Sequence, residues 1–295
     1  MKKIMILMTA AVIAGCSSRN TDFDATGTFE ATEVTVSAEQ NGRLLSFALS
    51  EGEEVSAGTV LGLIDTVALS LQLEQARATR QVYAAQRPDT EKQIAATRSQ
   101  LAKARTEQRR CEELVKDGAV PTKMLDDATS QVELLERQLD AQLSSLSRST
   151  NTLNNQMAAT DVQVRLLQDQ LNRCHIQSPI TGTVLDKYAE EGEFVAVGKP
   201  LFKIADMSRM YLRAYITSQR LEQVKTGQTV TVFADYGDGL RKSYEGVVTW
   251  IASHSEFTPK TILTDDERAD QVYAVKISVV NDGMIKIGMY GEVKF

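Results

Sequence analysis

The stretch 125–174, LDDATSQVELLERQLDAQLSSLSRSTNTLNNQMAATDVQVRLLQDQLNRC, decides how the rest of the chain is read. Within it a series alternates steps of three and four: Leu125, Ala128, Val132, Leu135, Leu139, Gln142, Leu146, Ser149, Leu153, Gln156, Thr160, Gln163, Leu167, Gln170 and Cys174. That is the heptad pattern of a long helix with a partner along one seam, and no Gly or Pro interrupts it. Upstream, Ile94, Thr97, Leu101, Ala104, Gln108, Cys111 and Val115 keep the same spacing. Between the two series, Asp117-Gly118-Ala119-Val120-Pro121 supplies a Gly stop and a Pro restart. The pattern predicts an antiparallel helical hairpin over 66–175 with its tip at 117–121. Arms of 66–116 and 122–173 are each about 75 Å long at 1.5 Å per residue, a rod rather than a globular domain.

The rod splits a repeat. Residues 36–65 align without a gap on 176–205 at an offset of 140, pairing Gly42 with Gly182, Leu45 with Leu185, Glu51-Gly52-Glu53 with Glu191-Gly192-Glu193, Val55 with Val195, Gly58 with Gly198, Leu61 with Leu201 and Ile64 with Ile204. Each copy reads as short strands turning at Gly. Neither carries a core of its own, so the two are expected to close into one small β-sandwich.

Asn41-Gly42-Arg43-Leu44-Leu45 with Glu51 to Val55, and Ser178-Pro179-Ile180-Thr181-Gly182-Thr183-Val184 with Glu191 to Val195, resemble the two halves of a biotinyl/lipoyl domain. Carrier domains of that fold hold a modified lysine on the hairpin between the halves, and in this register Ala68 stands there. With no amine at that place, lipoyl or biotin attachment is not expected, and no cofactor is. A lipoyl-like unit split by a long coiled coil resembles the haemolysin-D-type membrane fusion family. The resemblance implies an α+β architecture: 28–65 as N-terminal strands and first lipoyl half, 66–175 as hairpin, 176–206 as second half and 207–295 as a small β-barrel. In that last segment 210–217, 228–234, 245–252, 271–280 and 289–295 read as strands and 218–225 as a short helix. Residues 28–35 also alternate, and either return to the barrel or form a membrane-proximal strand set. Glu256 to Lys260, Asp266-Glu267-Arg268 and 272–277 resemble adaptors that accompany ABC-type exporters.

The tip carries a partner signal by the same resemblance. Adaptors that dock on outer-membrane channels of the TolC type share Arg, three residues, Leu, six residues, Ser, four residues, Asp. This chain matches with Arg110, Leu114 and Asp126, and departs at Pro121, where Ser is expected, with Thr122 beside it. The bland reading is that Asp126 favours a helix start, Arg110 a helix end, and Leu114 the core. Two further features concern the rod. Pro88 interrupts the first arm at the height where the second is rich in Ser, Thr and Asn, 147–155, which reads as a joint or as a surface kink without mechanical role. A fold-back of 66–86 as a separate helix is the alternative topology. The seam row Gln142, Ser149, Gln156, Gln163 and Gln170 is polar, so neighbouring rods in a homo-oligomeric ring are expected to supply contacts that two helices lack.

At the start, Lys2 and Lys3, an apolar run 4–14 and Ile13-Ala14-Gly15-Cys16 form an export signal too short to span a membrane. Its end resembles a lipobox, which implies cleavage after residue 15, lipid on Cys16 and a tether over 16–27. Ser17 is not the Asp that commonly marks inner-membrane retention, so either membrane stays open. Net charge of −6 and a pI near 5.2 exclude a basic patch for nucleic acid. His175 and His254 belong to no spaced ligand set, Met207 and Met210 read as core rather than soft-metal ligands, and Cys111 and Cys174 as seam thiols too far apart along the rod to bridge. The chain therefore reads as no enzyme. The resemblance implies a periplasmic adaptor linking an inner-membrane transporter, ABC type favoured, to a TolC-like channel. An adaptor of a proton-driven or metal-efflux pump, a carrier domain and a structural envelope lipoprotein are the alternatives.

Overall fold

The computed structural model describes residues 23–237, 240–256 and 272–295. The leader, Cys16, and the segments 257–260 and 266–268 lie outside them. The chain forms two compact units, one of residues up to 38 with 44–62 and 176–295, the other of 39–43 with 63–175.

The first unit holds a barrel and a sandwich that share two strands. β1 (Ala25–Ser37) and β8 (Pro200–Thr217) are long enough to serve both. In the barrel, the order β1, β12 (Tyr290–Lys294), β9 (Thr229–Asp235), β10 (Arg241–Ile251), β11 (Val272–Val280), β8 is closed by the β1–β8 pairing, which removes free edges. Alternation places Phe29, Met210, Leu212, Ile216, Val232, Ile277 and Val293 inside, all fully buried. Of the two expectations for 28–35, return to the barrel is observed for residues 28–30, with Thr28 paired to Tyr290 and to Arg213, while 32–35 continue along β8 below it. The expected helix 218–225 is a 3-10 turn, Ser218–Gln223. Met210 is a barrel core residue and Met207 packs half-buried against it.

Past a bulge between Glu30 and Thr32, the lower parts of β1 and β8 enter the sandwich. One sheet runs β1, β8, β6 (Gly182–Lys187), β3 (Glu54–Val55), and the other β5 (His175–Gln177), β4 (Val60–Ile64), β2 (Gly42–Phe47), β7 (Phe194–Val195). β2, β3 and β4 begin at 42, 54 and 60, while β6, β7 and β8 begin at 182, 194 and 200. The offset of 140 read in the sequence is thus an offset of strands. It is also one of hydrogen bonds, and each half is completed by the other. Val184 N–H donates to Glu53 O and Gly52 N–H to Val184 O, both 2.9 Å; the counterparts are Leu44 N–H to Glu193 O and Gly192 N–H to Leu44 O, both 2.8 Å. Likewise Gly58 N–H donates to Ser178 O and Gly198 N–H to Ala38 O, each at 2.8 Å. The repeat leaves open which face of each strand is inside. Leu45 and Leu185 match in letter, but Leu45 is exposed and the buried pair is Leu44 with Val184. A strand sends successive side chains to opposite faces, so identical letters at one offset do not say which face is inside.

The second unit is the hairpin. Its first arm is two helices, α1 (Val67–Ala85) and α2 (Thr90–Lys116), and its second is one, α3 (Thr122–Asn172), of 51 residues and about 75 Å. α1 and α2 both pack on α3, so α1 does not fold back as a separate helix. The break at 86–89 follows from Pro88, which lacks an N–H and pushes Arg87 out of the helical region. Asp89 then caps α2, its carboxylate accepting from Lys92 N–H at 3.2 Å. The Ser, Thr and Asn of 147–155 do not break α3, so the interruption belongs to one arm only. All seven seam residues read for α2 are buried or half-buried. In α3 the reading holds at every position to Leu146 and beyond it at Leu153, Thr160, Leu167 and Gln170; the correction falls on three positions of one row, where Ser149, Gln156 and Gln163 are exposed and Thr150, Met157 and Val164 are half-buried in their place. An α-helix of 3.6 residues per turn drifts about 20° per heptad against a 3.5 repeat, and over this length the drift brings the next residue inward. The lower seam is therefore more apolar than expected, and seam polarity no longer argues for neighbouring rods.

Candidate functional site

The tip is built from the end of α2 and the start of α3. Gly118, at φ +70°, stops α2 in a Schellman closure: Gly118 N–H donates to Val115 O at 3.0 Å and Ala119 N–H to Leu114 O at 2.9 Å. Pro121, extended at φ −63° and ψ 146°, then starts α3 without a side-chain cap. Because the carbonyls of Leu114 and Val115 are spent on the turn, their side chains are held in place at the apex. Leu114 is 38% exposed, an apolar group facing water one helical turn beyond Arg110. Arg110 is exposed and its ion pair, at 3.6 Å, is with Glu107 of its own helix. Asp126 is exposed one turn into α3, where its backbone carbonyl accepts from the Ser130 hydroxyl at 2.9 Å. Among the described residues no ion pair joins Arg110 to Asp126, so the two charges are presented outward separately. Sequence reasoning passed over Met124, 49% exposed, because it falls outside the seam spacing; an apolar residue in the first turn after Pro121, three positions on, was the available signal. Cys111, on the same helix, faces the seam and is buried.

At the base, Ala68 lies exposed in the first turn of α1, so the chain passes straight from lipoyl half to helix where a carrier would turn through its lysine. Cys174 is fully buried, and burial followed by the nearby Asp65 carboxylate pushes its thiol pKa up, away from reactivity. His175 and His254 are exposed, and no cluster of three or more His, Cys, Asp or Glu suited to a metal occurs among the described residues. No helix among the described residues is long and apolar enough to cross a membrane.

Two β half-units that complete each other around a helical insertion define the barrel-sandwich hybrid class of fold. A family model described as a CzcB-like barrel-sandwich hybrid domain matches residues 32–206, and the chain belongs to that family. A UPF0194 membrane protein from the asrC 5' region of Acidithiobacillus ferridurans is 27% identical over 89% of this chain and 83% of its own length. Another, from Yersinia enterocolitica, is 27% identical over 99% of this chain and 96% of its own. The fold is similar to that of MacA from Actinobacillus actinomycetemcomitans, at TM-score 0.57 and 22% identity over 91% of this chain and 76% of that one. It is also similar to the membrane fusion protein Spr0693 from Streptococcus pneumoniae R6, at TM-score 0.53 and 17% identity over 91% and 96%.

Proposed function

We propose that this chain is the periplasmic adaptor of a tripartite efflux or secretion system, of the haemolysin-D type, held to the envelope by lipid on Cys16. The observation that carries the reading is a hairpin of about 75 Å inserted between two interlocked β half-units and ending in an apex that presents Arg110, Leu114 and Asp126 to solvent. Such a part does no bond chemistry; it spans distance and offers contacts. The barrel and sandwich sit on an inner-membrane transporter, the resemblance around residues 256–277 favouring an ABC permease. Several copies stand in a ring, and the tips engage a TolC-like channel. There the Arg110 guanidinium donates to loop carbonyls or carboxylates, Asp126 accepts, and Leu114 with Met124 packs against the channel's loop ends. Docking through a tip with Pro121 in the place of Ser relies on these four side chains.

A photo-crosslinking residue at 114 or 124, in cells expressing the chain, tests this. The expected adduct is an outer-membrane channel, lost when Arg110→Glu and Asp126→Lys are combined. Channel pull-down and export unchanged by that double reversal would overturn the assignment. The permease that copurifies with the chain separates an ABC partner from a proton-driven or metal-efflux pump, and its absence would favour a structural lipoprotein.

A further inference from the structure

The chain's one tryptophan, Trp250, is turned to solvent by an irregularity in β10. Up to Val248 that strand alternates strictly, Gly246 and Val248 inward and Val247 outward, which would send Trp250 into the core. Between Val248, paired with Ile277, and Trp250, paired with Lys276, Thr249 is an extra residue in the pairing, and its hydroxyl donates to Lys276 O at 3.0 Å. Thr249 and Trp250 therefore both face out, Trp250 45% exposed, while Ile251 returns to pack against the core. A bulge that exposes the largest ring of a strand belongs to a surface with an occupant, because regular pairing would have buried that ring.

The register sets further aromatic and cationic groups beside it. Trp250 pairs with Lys276 and Lys276 with Arg213, so the three lie in one outward row across β10, β11 and β8, about 10 Å from end to end. Tyr211 and Tyr215, two residues either side of Arg213, share its face. Lys276 Nζ stands 4.3 Å from the centre of the Tyr211 ring, and Tyr215 is 39% exposed. Arg213 is engaged within the chain, by Glu256 at 2.5 Å and Glu30 at 3.9 Å. Lys276 has no ion pair among the described residues, so its charge is offered outward with three rings around it.

We infer that this wall of the barrel rests on the bilayer surface, with Trp250, Tyr211 and Tyr215 at the level of the lipid headgroups and Lys276 on their phosphates. Tryptophan and tyrosine collect at that boundary because each joins an apolar body to a polar edge. A lysine lying over an aromatic ring keeps its stem among apolar groups while its ammonium reaches the phosphate layer. The chain's own anchor brings the surface within reach, and here the inference rests on lipid at Cys16. Cys16 and Phe23 are seven residues apart, at most about 25 Å. Phe23 is fixed to the barrel, its ring 5.2 Å from that of Phe233 and 4.7 Å from the Arg241 guanidinium, and Thr26, three residues on, pairs with Tyr215. The tether thus holds the bilayer near this wall at high local concentration, and a contact too weak to bind by itself suffices to stop the barrel turning on its anchor. With one wall set against lipid, the others remain for proteins.

Because Trp250 is the only tryptophan, its fluorescence reads this one place. Full chain purified from membranes is reconstituted into vesicles of three parts phosphatidylethanolamine to one of phosphatidylglycerol, with and without bromine near the headgroup end of the acyl chains. Brominated lipid should quench Trp250 by about half, as for a ring at the interface. A chain with Trp250→Phe and Tyr290→Trp carries its reporter on β12, opposite β11 in the closed barrel, at a position 71% exposed, and should stay unquenched. Lys276→Glu should cut the quenching of Trp250 severalfold. An unchanged thermal transition guards against misfolding of either variant. No quenching at Trp250, equal quenching of the Tyr290→Trp reporter, or quenching indifferent to Lys276→Glu would overturn the inference. So would a Trp250 shielded from iodide only when the permease copurifies, which assigns the wall to a protein. Intact mass reads the lipid on Cys16 separately, so a lipid-bearing chain with Trp250 unquenched fails this inference and leaves the anchor standing.

Discussion

Alanine at Gly182 is expected to damage the sandwich far more than alanine at Gly52 or Gly192, and the internal repeat provides the controls. Gly52 and Gly192 occupy matched turns with φ of 83° and 89°, and nothing lies within 4 Å of where a Cβ would stand at either. Each substitution therefore costs only the left-handed backbone penalty, about 1–2 kcal/mol. Gly42 and Gly182 are matched as well, but by steric need. A Cβ at Gly182 would lie 2.2 Å from Ala205 O, and one at Gly42 would lie 2.6 Å from the Ile64 Cγ2 methyl. The first obstacle is backbone in the β6–β8 ladder, where Thr183 pairs with Ala205, and relieving it means parting strands by about 1 Å; the second is a side-chain methyl that can turn aside. Overpacking plus one lost ladder bond puts Gly182→Ala near 3–4 kcal/mol, with Gly42→Ala between the two classes. At roughly 2–4 °C per kcal/mol for a unit of this size, Gly52→Ala and Gly192→Ala should each lower the Tm by about 4 °C and Gly182→Ala by about 10 °C. Differential scanning calorimetry reads all four. A Gly182→Ala transition within 2 °C of Gly52→Ala would refute the argument, as would a wide split between Gly52→Ala and Gly192→Ala.

Two further outcomes concern other parts of the chain. Leu101→Ala, in the cluster with Val132 and Leu135, should cost about 2–5 kcal/mol and speed amide exchange through the tip half of the hairpin, while α1, beyond the break at 86–89, keeps its protection. Asp24 is raised by burial, but the N–H of Phe295 at 2.9 Å and the Arg220 guanidinium outweigh this and hold its pKa below the usual value. A depressed folded pKa gives stability that is complete above the unfolded value of about 3.9 and disappears as pH falls through the folded one. Asp24→Asn should therefore be less stable than the parent at neutral pH, with the gap closing in acid; chemical denaturation at pH 7 and pH 2.5 measures it.

The candidate site was legible to the extent that it is local. The Gly stop at 118, the Pro restart at 121 and the i, i+4 placement of Arg110 and Leu114 follow from rules that act within one or two turns, and all stand where they were read. Met124 was missed because exposure of a single apolar residue is not a periodic signal. One row of the α3 seam was misread at Ser149, Gln156 and Gln163, while Leu153, Thr160 and Leu167 of the other row stand as read, because a drift accumulates from helix pitch that spacing alone does not record.

By itself the sequence determined the split repeat, the hairpin and its tip, because gap-free offsets, heptad spacing and the conformational demands of Gly and Pro are properties of the chain before it folds. Tertiary structure decided which strand face is inside, placing Leu44 rather than Leu45 in the core, and confined the break at Pro88 to one arm. It also decided, through the extra residue at Thr249, that Trp250 faces water. The physical reason is common to all three: burial is a relation between elements, and a residue's own letter states its preference for the interior without stating what will be there to receive it.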